Sequence, residues 1–112
     1  MKILVTGGAG FIGRHLVEFL LQKHTVLIYD NLSTSSKSDA DILEKKGAEF
    51  LQGDILDAES LCEFSKGVDC MIHLAAISDV NESVKDPETA KNVNVDGTAN
   101  VLSCCVANKI KK

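Results

Sequence analysis

The amino-acid sequence predicts an α/β fold, a parallel sheet with helices on both faces. Three observations point there. Short apolar runs recur without strict alternation, as in strands covered on both sides. Between them lie stretches whose apolar residues repeat with helical period, so that strand and helix alternate as in βαβ units. A glycine-rich turn joins the first apolar run to the first helical stretch.

The first strand is Ile3-Leu4-Val5-Thr6. After the glycines, Ile12, Leu16, Phe19 and Leu20 fall on one helical face with Arg14, Glu18 and Gln22 opposite, which predicts a helix resting on the sheet through those four apolar residues. The second strand runs from Thr25 to Tyr29. A helix over Asp39 to Lys46 is stopped by Gly47, and Glu49-Phe50-Leu51 forms the third strand. Asp57 caps a short helix that carries Leu61 and Phe64 and stops at Gly67. The fourth strand is Asp69 to Leu74. The last stretch opens with Asp86-Pro87-Glu88, a cap followed by a proline at the first helical position, and reads as one helix of ~33 Å to about Asn108. Gly97 falls inside it, where glycine costs about 1 kcal/mol, so close packing against a neighbour is expected there.

Composition bounds the function. The chain has 112 residues, 45% apolar and 25% charged, with a net charge of −4, the proportions of one globular domain at the lower end of domain sizes. No repeat or linker divides it, although Ser33 to Ser38 is a Ser-rich loop, and residues 1–112 are read as a single domain. An acidic balance without a Lys/Arg block argues against nucleic acid. Apolar runs such as Val26-Leu27-Ile28-Tyr29 fall far short of the ~18 residues of a membrane span, so no membrane partner is expected. Gly7-Gly8 interrupts the N-terminal apolar run, and Arg14 and His15 stand where a small-residue cleavage site belongs, so no signal peptide is expected. Cys62, Cys70, Cys104 and Cys105 contain no C-x-x-C pair; neither a zinc knuckle nor a disulfide scaffold is predicted, but reduced core thiols in a cytoplasmic protein. No metal site is expected.

Gly7-Gly8-Ala9-Gly10-Phe11-Ile12-Gly13 fits G-x-G-x-x-G from Gly8 and T-G-x-x-G-x-x-G from Thr6, and both registers stay open. Glycines there permit positive φ, let a pyrophosphate approach the backbone and allow helix and strand to pack closely, while the N–H groups opening the helix face the phosphates. The plainer reading is a tight βα turn. Asp30 closes the second strand 17 residues after Gly13, where a dinucleotide fold places an acid to accept from the adenosine ribose hydroxyls. A carboxylate there repels a 2′-phosphate, and no Arg follows in Asn31-Leu32-Ser33-Thr34 to bind one, which favours NAD over NADP. Its plainer role is to cap a strand-end turn. Asp54 could accept from the adenine amino group while the Ile55 N–H bonds a ring nitrogen, although alone Gly53-Asp54 is only a turn signal. His73 is read as structural, because no partnered nucleophile accompanies it and His15 and His24 lie elsewhere. Cys104-Cys105 reads as helix packing, since adjacent helical residues point about 100° apart.

In chain order, TGGAGFIG, YDNLS, GDI, HLAA and NVDGT resemble the extended short-chain dehydrogenase/reductase family, most closely its NAD-dependent nucleotide-sugar epimerases and dehydratases, of the UDP-glucose 4-epimerase-like kind. The resemblance spans essentially the whole chain and implies a Rossmann-type sheet of order 3-2-1-4-5-6, here cut after the fourth strand and its following helix, with the substrate domain absent. It implies that Gly7, Gly10 and Gly13 form the phosphate turn, with backbone contacts from Phe11 and Ile12. Asp30, Asn31, Leu32 and Ser33 would hold the adenosine ribose, and Asp54 and Ile55 the adenine. Leu74, Ala75, Ala76 and Ile77 would line the cofactor, Val93 would face the site, and Asn94 matches a helix Asn that supports proton transfer in many relatives.

One departure limits this reading. Family members carry a Ser/Thr after a fifth strand and a Tyr-x-x-x-Lys pair on the next helix as acid/base, and neither is present, Tyr29 being the only tyrosine. No catalytic residue is therefore assigned, and the chain alone is expected to be inactive. The resemblance implies the NAD-binding portion of an enzyme in which NAD takes a hydride from the sugar and returns it through a 4-keto intermediate, with a nucleotide sugar as partner only in a full-length form. The alternatives are a non-enzymatic NAD-binding or sensing module and an inert fold fragment. With a fifth strand missing, the outer side of the fourth would lack partners and favour self-association.

Overall fold

The computed structural model describes residues 1–77 and 79–112. Four strands, β1 (Lys2–Thr6), β2 (Thr25–Asp30), β3 (Glu49–Gln52) and β4 (Cys70–His73), pair in parallel in the order β3-β2-β1-β4. This is the expected Rossmann-type order. Helices α1 (Phe11–Leu20) and α2 (Lys37–Lys45) cover one face, while α3 (Ala58–Phe64) and α6 (Thr98–Ala107) cover the other. Two short helices, α4 (Val80–Lys85) and α5 (Pro87–Lys91), and a π-helical turn, Asn92–Gly97, lie between β4 and α6.

Strand alternation builds a core on each face. Ile3, Val5, Val26 and Ile28 pack with Val17 and Leu43, whereas Leu4, Leu27 and Tyr29 pack with Ile55, Leu61, Val101 and Cys104. Tyr29 is fully buried, and its hydroxyl donates to the Asp54 carbonyl at 2.9 Å. Caps fall where the side chains dictate: Ser36 and Asp39 form a capping box on α2, Asp57 caps α3, and Asp86 with Pro87 opens α5.

Four expectations need correction. Helix α1 rests on the sheet through Gly13 and Val17, supported by Leu16, Leu20 and Leu21, while Ile12 and Phe19 stay 70% and 68% exposed. The reason is steric: a Cβ on Gly13 would stand 2.7 Å from the Gly8 Cα, so the bare glycine is the point of closest approach and rotates the buried face toward itself.

The expected single last helix is not regular. Residues 87–107 are helical throughout, but the π-helical turn inserts a residue and rephases the faces before and after it. Gly97 ends that turn, and a Cβ there would stand 2.7 Å from Ile55 Cγ1, so the expected close packing is present.

Cys62 and Cys104 are joined in a disulfide, against the expectation of four reduced thiols; Cys70 and Cys105 are free. Helices α3 and α6 lie side by side on one sheet face, so Cα atoms 42 residues apart in sequence come within 4.9 Å, which no local spacing reveals. Finally, the outer side of β4 is not wholly unpaired, because the Met71 N–H donates to the Lys112 carbonyl at 2.8 Å.

Candidate functional site

In an open parallel sheet the ligand crevice forms at the carboxyl ends of the strands, where neighbouring connections leave in opposite directions. Here that point lies beyond β1, whose neighbours are β2 and β4. The glycine turn, the Asp30 loop and the segment 74–77 meet there.

Gly7 has φ +71°, and a Cβ on it would stand 2.8 Å from the Ala75 nitrogen, so both backbone conformation and contact with the 74–77 wall exclude other residues. The Gly10 N–H donates to the Gly7 carbonyl at 3.1 Å, and Gly10 caps α1 without any side-chain bond to the first turn. Phe11 and Ile12 follow, 72% and 70% exposed, on the open side of the turn. The helix thus presents its first amides and the positive end of its dipole to the crevice.

Asp30 is 9% exposed at the end of β2. Its Oδ2 accepts from the Ala9 N–H at 3.0 Å and its Oδ1 from the Leu32 N–H at 2.8 Å. The carboxylate is therefore a turn cap and the neighbour of the glycine turn together, with lone pairs to spare on each oxygen. Asn31 Oδ1 accepts from the Ser33 N–H at 3.0 Å, and Leu32 is held at φ +61°, a left-handed conformation uncommon for leucine. The Ser35 hydroxyl in the same loop is buried and has no partner among the described residues, a feature the sequence pattern does not mark.

Asp54 Oδ1 accepts from the Leu56 N–H at 2.9 Å, while the Ile55 side chain is buried under Gly97 and its carbonyl accepts from Asn100 Nδ2 at 2.9 Å. Only the backbone of Ile55 can face a ligand. Leu74 and Ala76 are exposed, Ala75 and Ile77 half-buried, and both Ala75 and Val93 pack against the core. Asn94 clamps the wall: its Oδ1 accepts from the Ile77 N–H at 2.7 Å and its Nδ2 donates to the Ile77 carbonyl at 3.0 Å.

His73 has a structural place, as expected, bonded to Thr6 at Nδ1 and to Thr98 at Nε2. Burial holds its pKa below the ordinary histidine value. Thr6 opens the T-G-x-x-G-x-x-G string and Thr98 closes NVDGT, but neither hydroxyl was given a role in the sequence, because their shared partner His73 is brought to them only by the fold. Marked surface depressions lie elsewhere, one beside His15, Phe19 and Lys46 and one beside Lys2, Leu51 and Phe64; neither is lined by the glycine turn or Asp30. No cluster of metal-ligating side chains occurs among the described residues, and no helix is long and apolar enough to cross a membrane.

Comparison with known proteins bears on the family and the fold. Residues 3–112 match the model of the NAD dependent epimerase/dehydratase family. The chain is 38% identical to a UDP-glucose 4-epimerase of Klebsiella pneumoniae, covering 99% of this chain and 84% of that one. It is 41% identical to the UDP-glucose 4-epimerase of Erwinia amylovora, covering 91% of this chain and 32% of the relative. Among solved structures, UDP-glucose 4-epimerase from Bifidobacterium longum in complex with NAD+ and UDP superposes with a TM-score of 0.92 at 30% identity, over 99% of this chain and 35% of that one. The chain thus spans about a third of the latter two proteins.

Proposed function

The chain belongs to the NAD-dependent epimerase/dehydratase family, and from that premise we propose that residues 1–112 are the NAD-binding portion of a nucleotide-sugar epimerase or dehydratase. One observation carries the reading: the Asp30 carboxylate is bonded to the Ala9 N–H, so a strand-end acid and a helix N-terminus without a side-chain cap share one crevice. Gly7, Gly10 and Gly13 leave room for a pyrophosphate, which the Phe11 and Ile12 amides would meet. Asp30 with Asn31, Leu32 and Ser33 would take the adenosine ribose, and Asp54 with the Ile55 backbone the adenine. The buried Ser35 hydroxyl is a further polar group in that loop awaiting a partner. Leu74, Ala75, Ala76, Ile77 and Val93 would flank the nicotinamide half.

Bound NAD supplies a hydride acceptor for the sugar. The residues of this chain bind and orient, and none of them is placed as acid or base. Tyr29 is buried, its phenol pKa is raised by desolvation, and its proton is directed to the Asp54 carbonyl. His73 is bonded at both ring nitrogens. Epimerisation or dehydration through a 4-keto sugar is accordingly proposed for a longer form that carries the missing Tyr-x-x-x-Lys pair. The setting proposed is the cytoplasm, where the Cys62–Cys104 pair would stand as thiols.

Calorimetry tests the proposal. NAD is expected to bind more tightly than NADP, and Asp30→Ala to narrow the gap; with NAD and UDP-glucose the chain should show no turnover. Equal affinities in the unsubstituted chain would remove Asp30 from its role, and no NAD binding would overturn the reading. Turnover that survives rigorous purification would instead require an acid/base within these residues.

A further inference from the structure

The hydrogen bonds around His73 fix its protonation state by donor arithmetic. The Thr98 hydroxyl donates to the Asn94 carbonyl at 2.7 Å, so toward His73 Nε2, 2.9 Å away, its oxygen must accept, and Nε2 carries a proton. On the other side the Thr6 hydroxyl oxygen accepts from the Ala75 N–H at 3.2 Å and shares the Leu74 N–H, 3.1 Å away, with the Thr6 carbonyl at 3.0 Å. Its one proton therefore points to His73 Nδ1 at 2.7 Å, and Nδ1 is bare. Every polar atom in the chain from Ala75 to Asn94 is satisfied only if the ring is neutral and protonated at Nε2. No charged side chain takes part.

This chain of bonds runs between the two walls of the crevice. Thr6 immediately precedes Gly7, and it holds the Leu74 and Ala75 amides where Gly7 approaches the Ala75 backbone most closely. Thr98 closes onto the carbonyl of Asn94, whose side chain pins Ile77 at the other end of the same wall. Among the described residues, His73 is the side chain that joins these two pins.

We propose that His73 is a positioning residue of the NAD crevice: as the neutral, Nε2-protonated ring it couples Thr6 to Thr98 and so fixes the spacing between the glycine turn and the 74–77 wall. The role rests on the NAD-binding reading above, and it acts by pre-organising the site, since a wall already held in place need not be ordered when the ligand arrives.

Two measurements on the 112-residue chain decide it. Nitrogen-15 spectra of labelled histidine at neutral pH should show His73 protonated at Nε2 and bare at Nδ1, a signature that mere packing would not fix. For affinity, His73→Asn keeps an acceptor near Thr6 and loses the Thr98 arm, while His73→Gln keeps a donor near Thr98 and loses the Thr6 arm. Each should weaken NAD binding by roughly ten-fold, in line with one lost hydrogen bond. If either fails to fold, Thr98→Val removes one arm with the branched shape retained and should show the same weakening. An Nδ1-protonated or charged ring, or folded variants that bind NAD as the parent does, would overturn the clamp alone. A parent chain that binds no NAD while showing the expected tautomer would overturn the cofactor reading, and with it the clamp's role toward NAD.

Discussion

Glycines in this chain answer to two different demands, and substitution separates them. Gly13 has no special φ but no room, a Cβ being 2.7 Å from the Gly8 Cα, whereas Gly67 has φ +78° with nothing within 4 Å of an added Cβ. Gly13→Ala should therefore cost about 1–3 kcal/mol through overpacking and also weaken NAD binding, because the backbone that must shift is the phosphate turn. Gly67→Ala should cost about 1–2 kcal/mol from the left-handed conformation and leave binding unchanged. Urea unfolding and calorimetry on both variants read this; equal effects on affinity would detach Gly13 from the site. His73 adds a pH dependence. Its folded pKa lies below the ordinary 6.5, so the unfolded chain takes up the proton first, and stability should fall as pH drops below 6.5 toward the folded value. Glu18, Asp39 and Asp86 are shifted down from 4.5, 3.8 and 3.8, so their contributions fade only in more acid solution. Unfolding midpoints at pH 7.5, 6.5 and 5.5 should show the loss, and a flat profile over that range would show that His73 is not held neutral. At this scale the sequence showed the acids and glycines through spacing, but it hid the partners of His73, which come from strands and helices 67 and 25 residues away.

Secondary structure was legible wherever its cause is local. Strands followed from apolar runs, and the capping residues Asp57 and Asp86 marked their helices because a cap needs only its own first turn. Misreadings arose where the cause is a contact between elements. The buried face of α1 is set by Gly13 meeting the turn, yet a hydrophobic pattern counts glycine as no contact at all. The π-helical turn places Gly97 over Ile55, and a one-residue change of phase leaves no mark in composition. The Cys62–Cys104 link is of the same kind, a consequence of α3 and α6 sharing a sheet face. It closes a loop of 42 residues, for which chain entropy predicts a stabilisation of about 4 kcal/mol, and ordinary disulfides give about 2–4 kcal/mol. Urea unfolding with and without a thiol reductant should differ by that order, and so should Cys62→Ala against the oxidised parent. Coincident curves would show that α3 and α6 are held by packing alone.

The whole sheet is lopsided. Its order β3-β2-β1-β4 leaves β4 at one edge, yet β4 carries Met71 toward one core and Cys70 and Ile72 toward the other, the two-sided burial of an interior strand. In a parallel strand alternate residues bond to opposite neighbours. Leu74 donates to β1, so Met71 and His73 turn their backbone groups outward, and the Met71 N–H finds the Lys112 carbonyl. The segment from Ile110 to Lys112 is thus a partial cover over an edge that offers further donors and acceptors to any extended chain. Such edges template pairing, and an apolar one does so most readily. Sedimentation at rising concentration should therefore show reversible self-association of the 112-residue chain. Deleting residues 110–112 should strengthen it by uncovering Met71, whereas Ile72→Lys should weaken it by placing a charge on the strand, at some expense of packing against the α1 and α2 side. A monodisperse monomer at high concentration, both before and after the deletion, would mean that the twist of β4 and the helices beside it already deny the edge to a second chain.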